Sequence, residues 1–241
     1  MIFQKEGYIA FQTDINGNDK YDGNILFINQ NKERKSIMAR KEISNTQQAS
    51  DKKLRTKDLI YAGAFGAIYI VLMFAIVMGS GMIPILYILS PLTVGIVCAT
   101  VYELCVLKVH KFGAALILGV LFALVAASSN IVGLICAIVI ALIAELIIKA
   151  GGYKSKKMYL LSFVIFNLNM ICPFSTLVMN REAFFEKATG YYGQAYADKV
   201  SALTPSWIIF ALIGLALLGG MIGATIASRL IKKHFAKAGI V

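Results

Sequence analysis

The residues of this chain best suited to chemistry gather in one polar segment. Asn180 to Thr204 reads NREAFFEKATGYYGQAYADKVSALT and carries Phe184, Phe185, Tyr191, Tyr192 and Tyr196, with Trp207 just beyond. Aromatic faces stack on flat molecules, and phenol and indole groups add hydrogen-bond donors. Two readings fit this pattern. One is an aromatic belt at a membrane–water interface. The other is a lid over a pocket open to the outside, because functional sites often use long loops. Gly190 and Gly193 are expected to break the segment into two short helical pieces. Three amides join the aromatics as candidates. Asn167 and Asn169 interrupt a long apolar run, where a buried amide needs a partner, either another helix or a ligand. Asn130 follows Ser128 and Ser129 at a tight turn. The candidate substrate-binding residues are therefore Asn130, Asn167, Asn169, Tyr191, Tyr192, Tyr196 and Trp207.

Catalytic patterns find no counterpart. The sequence has no HExxH, no GxSxG and no Gly-rich phosphate loop. An ATP-driven process would need a separate ATPase. Asp14–Asp22 (DINGNDKYD) resembles a calcium loop but lacks Gly at the sixth position and Glu at the twelfth. Cys98, Cys105, Cys136 and Cys172 all lie in apolar runs without a CxxC pair, so they read as small helix residues rather than metal or redox ligands. Glu103 and Glu145 stand near Lys108 and Lys149, which suits paired or snorkelling carboxylates better than a proton relay. No enzyme activity, cofactor or metal is expected.

The elements that must position the candidates are apolar helices. Of the 241 residues 58% are hydrophobic and 15% charged, whereas a soluble domain is normally about a quarter charged. Six runs are long enough to span roughly 30 Å of hydrocarbon as helices: Leu59–Ser80, Ile83–Leu107, Phe112–Ser129, Ile131–Ile148, Met158–Met179 and Pro205–Ile231. Pro91 should kink the second. Thr204 as N-cap and Pro205 at the first helical position should start the last. The fold class is thus an all-α integral membrane protein, a bundle of six transmembrane helices over residues 58–236.

Orientation follows from the basic residues. Lys52, Lys53, Arg55, Lys57, Lys108, Lys111, Lys149, Lys154, Lys156, Lys157, Arg229, Lys232, Lys233 and Lys237 fall on one side. The other side has only Arg181, Lys187 and Lys199, balanced by Glu182, Glu186 and Asp198. The positive-inside rule puts both termini in the cytoplasm and the 180–204 segment outside. The net charge of +11 belongs to this asymmetry; without interleaved aromatics it implies no nucleic-acid partner. Residues 1–57 are polar and read as a disordered cytoplasmic extension. Met38 opens MARKEISN behind Glu33-Arg34-Lys35, whose codons can spell a ribosome-binding site, so residues 1–37 are expected to be untranslated.

Two helices carry small-residue patches that let another helix approach closely. The first has Ala62/Gly66 and Gly63/Ala67; the last has Ala216, Gly219, Gly220, Gly223 and Ala224. Each patch serves either internal packing or an external partner. Lys53–Phe74 (KLRTKDLIYAGAFGAIYIVLMF), the six spans and REAFFEKATGYYGQAYADKVSALTPSW together resemble the Trep_Strep group of bacterial membrane proteins, which look like substrate-binding S components of energy-coupling factor (ECF) transporters. The resemblance implies a small six-helix subunit of the bacterial cytoplasmic membrane that captures a micronutrient from outside. It further implies a transmembrane coupling subunit and two cytoplasmic ATPases as partners. A first-helix motif, usually Ala-xxx-Ala, would dock on the coupling subunit, here at Ala62, Gly63, Gly66 and Ala67. The rivals are a stand-alone secondary transporter, which would normally need midplane carboxylates, and a membrane protein with no transport role. Aromatics and amides without a fixed charge suit a flat, weakly charged small molecule.

Overall fold

The computed structural model describes residues 37–38 and 54–235. The expectations for the extension before the first helix, including the untranslated stretch, fall almost wholly outside that range.

Among the described residues all regular structure is helical. The elements are α1 (Thr56–Gly81), α2 (Pro84–Ile88), α3 (Ser90–Val109), α4 (Ala114–Ala127), α5 (Ile131–Ala150), α6 (Lys156–Phe166), a 3-10 segment (Asn167–Phe174), α7 (Ser175–Met179), α8 (Arg181–Tyr192), α9 (Gln194–Leu203) and α10 (Ile208–Leu230). Five stretches are long and apolar enough to cross a membrane: Thr56–Gly81, Ser90–Val109, Ile131–Ala150, Lys156–Met179 and Ile208–Lys233. The sixth apolar helix, α4, has 14 residues, about 21 Å at 1.5 Å per residue. It is shorter than the run expected at Phe112–Ser129, because Gly113 takes a positive φ of 113° and Ser128 and Ser129 form a turn.

Pro91 and the Thr204-Pro205 pair act differently from the sequence expectation, and Pro205 lies ahead of the last helix rather than at its first position. Pro91 does not kink a continuous span. The chain breaks at Leu89, and Pro91 sits in the first turn of α3, where its missing N–H is harmless. Nor does Thr204 cap the last span. Its hydroxyl donates back to the Val200 carbonyl at 2.8 Å and closes α9, while Trp207 is the residue ahead of α10.

At one end of the bundle the basic residues meet. Lys111 pairs with Asp58 at 2.7 Å. Lys108 Nζ lies 5.6 Å from the Tyr61 ring centre and Lys149 Nζ 5.8 Å from that of Phe112. Glu145 neither snorkels nor pairs with Lys149. It is fully buried, and Oε2 accepts the Ala115 and Leu116 N–H groups at 2.9 and 3.1 Å. Those are orphan donors of α4, whose N-cap is a glycine, so the neighbouring helix supplies the cap with a carboxyl oxygen at the positive end of the helix dipole. Glu103 is 2% exposed and its Oε1 has no hydrogen-bond partner.

The seam between α3 and α10 is built on glycine. A Cβ on Gly219 would come within 2.6 Å of the Leu92 carbonyl oxygen, and one on Gly223 would strike that of Gly95. Backbones therefore touch here, which small residues permit. The patch on α10 is internal packing. α1 is peripheral: 22% of its apolar window is buried, against 56% for α3.

Candidate functional site

The end of the bundle opposite the lysines is covered by α8 and α9. Asn180 starts α8 by accepting the Ala183 N–H at 3.0 Å. One break, at Gly193 with φ 86°, turns the chain into α9; Gly190 lies inside α8 and breaks nothing. Arg181 ties the segment's two ends together. Its Nη2 donates to the Ser201 carbonyl and to Thr204 Oγ1, both at 3.4 Å, and its guanidinium lies 5.0 Å from the centre of the Phe185 ring. Phe184 and Phe185 pack on a cluster of Ile88, Phe174, Leu177, Ile208 and Leu212, which anchors the segment to the bundle.

Between this cover and the bundle lies a cavity of about 320 Å³, the lower end of the range for small-molecule sites. Tyr191, Tyr192 and Tyr196 line it, as the sequence suggested. The Tyr192 and Tyr196 rings lie 4.6 Å apart at an interplanar angle of 30°, a tilted pair in contact. Burial and the neighbouring Tyr192 push the Tyr196 phenol up to about 12, so its hydroxyl remains a donor at neutral pH. A Cβ on Gly81 would stand 3.1 Å from the Tyr192 hydroxyl. The glycine at the end of α1 thus makes room for that side chain.

The other candidates sit elsewhere. Asn130 supports the cavity from behind. Its Oδ1 accepts the Gly133 N–H at 2.7 Å as N-cap of α5, and its Nδ2 donates to Ser175 and Thr176 hydroxyls at 2.8 and 2.6 Å. Asn167 is a clamp inside the bundle: Nδ2 donates to the Pro91 and Ala216 carbonyls at 3.0 and 2.7 Å, joining α3 and α10 to the 3-10 segment. Asn169 is fully buried and neither of its side-chain polar atoms has a partner. Neither amide lines the cavity. Trp207 also lies outside it, 61% exposed, as an interfacial residue would.

Sequence reasoning missed Tyr87, Thr176 and Lys187, and it named Ser128, Ser129 and the lid aromatic Phe184 without placing them in the binding set; all six line the cavity. The spacing of Phe184, Lys187, Ala188 and Tyr191 could have found part of this set. Offsets of three, four and seven put them on one helix face.

The first-helix strip divides. Ala62 and Gly66 face inward, and a Cβ on Gly66 would collide with Leu121 of α4. Gly63 has no atom near its would-be Cβ, and Ala67 is exposed.

These features define a multi-pass helical membrane protein with a covered cavity at one end of its bundle. The chain belongs to the Trep_Strep family, described as hypothetical bacterial integral membrane proteins, which it matches over residues 56–237. It matches no curated protein and no solved structure.

Proposed function

We infer that this chain is the substrate-binding S component of an ECF-type ABC transporter in the bacterial cytoplasmic membrane. It captures a small micronutrient from outside and works with a transmembrane coupling subunit and two cytoplasmic ATPases. The observation that carries this reading is the tyrosine-lined cavity under α8 and α9, at the end of the bundle poor in lysine. By the positive-inside rule that end faces outward. Half-buried Gly63, with open space where a Cβ would stand, and exposed Ala67 offer α1 a surface for the coupling subunit. The chain brings no phosphate-binding loop, so the ATPases are separate chains.

The test is native mass spectrometry of the full chain purified with its partners from its bacterial host. The expected result is a bound small molecule that is lost from Tyr192→Ala/Tyr196→Ala while the partners stay attached. A molecule retained by that variant, or a preparation without ATPase subunits, refutes the reading.

One observation favours a stand-alone secondary transporter. Glu103 is a buried carboxylate with an unpartnered oxygen, beside a small cavity lined by Lys156, Tyr159 and Ser228. An ion-coupled carrier needs such a group. In that case uptake would follow the proton gradient, survive ATP depletion and fail in Glu103→Gln.

A further inference from the structure

Lys187 is the one charged side chain lining the cavity under α8 and α9. It belongs to the face of α8 that looks into the cavity, three residues after Phe184 and four before Tyr191. Glu182 and Glu186 of the same helix are exposed and do not line the cavity. The other charges nearby are occupied: Arg181 holds Thr204 and Phe185, and Asp198 accepts from Gln194 at 2.8 Å. Lys187 has no hydrogen bond or ion pair among the described residues, and no acidic side chain lines the cavity with it. The rest of the lining is uncharged: Tyr192 and Tyr196 supply ring faces, Ser128 and Ser129 supply hydroxyl groups, and Pro173, Ala188 and Val200 are apolar.

The geometry points to a ligand that is a small organic anion, with a flat ring held by the tyrosines and a carboxylate or phosphate held by Lys187 at the rim. This deepens the substrate-binding reading above and rests on it. A cation without a carboxylate partner, exposed at the mouth of an otherwise uncharged cavity, selects for negative charge in two ways. It attracts the ligand before contact, and it makes a charge-assisted hydrogen bond on arrival. The 320 Å³ of the cavity, at the lower end of the range for small-molecule sites, suits a molecule of roughly two fused rings.

The test uses the full chain in phosphatidylcholine nanodiscs, with 2-naphthoate and its uncharged amide, 2-naphthamide, as probes. Lys187→Gln should weaken 2-naphthoate about tenfold, the usual scale for one charge-assisted contact. It should leave 2-naphthamide unchanged, and Lys187→Arg should restore the naphthoate affinity. Comparing variants with each probe cancels its partition into lipid. An equal effect on both probes, no effect on either, or no saturable binding of either overturns the assignment. If Tyr192→Ala/Tyr196→Ala leaves both affinities intact while Lys187→Gln still acts, the cavity reading falls and Lys187 is a surface anion site. Discs that include phosphatidylglycerol separate a lipid headgroup from a free ligand. Loss of 2-naphthoate binding there assigns Lys187 to lipid and overturns the proposal.

Discussion

Replacing Gly63 and Gly66 separately with leucine should have opposite consequences, although they stand three residues apart on one helix. At Gly66 a Cβ would strike the end of the Leu121 side chain, with Leu118 Cδ1 3.9 Å away. Leu121 is only partly buried and can turn aside for one methyl group, so Gly66→Ala should cost little. Leucine adds three more carbons toward Leu118, which is 1% exposed and has nowhere to go. Overpacking of this kind costs about 1–3 kcal/mol. At about 2–4 °C per kcal/mol for a chain of this size, Gly66→Leu should melt roughly 2–12 °C below the parent. Gly63 has nothing within 4 Å of its would-be Cβ, so Gly63→Leu should melt at or slightly above the parent temperature. It should nevertheless fail to co-purify with the coupling subunit, because the leucine stands where a partner helix would approach. The assay is thermal unfolding in detergent beside pull-down of the ATPase subunits. A Gly63→Leu protein that melts low shows that this face packs internally. One that melts normally and still brings down the module shows that α1 does not dock there.

Three further expectations concern the bundle itself. Asn169→Leu removes two buried polar atoms that have no partner, a cost of about 1–3 kcal/mol in proteins; the variant should melt higher, and loss of uptake despite that gain would show that the amide is kept for function. Glu145→Leu should destabilise by about 2 kcal/mol or more, because the Ala115 and Leu116 N–H groups lose their acceptor. Glu145→Gln keeps an oxygen there and should cost less than about half as much, so equal damage in thermal unfolding would mean that the charge, not the cap, matters. With the four cysteines replaced, an impermeant maleimide added to whole cells should label Ala195→Cys on α9 and not Lys154→Cys. The reverse pattern would invert the topology.

Hydropathy and lysine placement were enough to locate the spans and the covering segment, because both signals depend only on composition along the chain. Sidedness was not legible. In α1 nearly every position is apolar, so no polar face marks which of Ala62, Gly63, Gly66 and Ala67 turns inward. Contact with Leu121 decides that, and the contact depends on how α4 packs. Pro91 and Thr204 were misplaced for a related reason. Each carries a valid local signal, but the same signal serves the end of one helix or the start of the next, and only the path of the chain chooses between them. Within the site, Tyr191, Tyr192 and Tyr196 stood out as aromatics in a polar segment. Lys187 did not, because the covering segment's charges cancel in sum. Glu182 and Glu186 of the same helix are exposed and do not line the cavity, and that division, visible only in three dimensions, leaves Lys187 as the charged side chain of the lining. The amides Asn167 and Asn169 drew notice for a sound reason, the cost of burying them. For Asn167 the amide nitrogen is satisfied by two backbone carbonyls, while its buried Oδ1 has no partner among the described residues.

The arrangement of α1 bears on how a ligand and a partner could sense one another. Its last residue, Gly81, lies against the Tyr192 hydroxyl of the cavity wall, and near its other end stand half-buried Gly63 and exposed Ala67. Eighteen residues separate Gly63 from Gly81, about 27 Å of helix. Over its length α1 leans on the bundle lightly, with 22% of its window buried, whereas α3 and α10 are locked by backbone contact and by the Asn167 clamp. α1 meets the bundle through side chains such as Tyr69 and Met73, which can change rotamer, whereas the glycine seam cannot shift without breaking close packing. On the proposed function, a ligand that reorders Tyr192 therefore acts on the same element that would meet the coupling subunit. The close-packed seam of α3 and α10 is the frame against which such a shift would be measured.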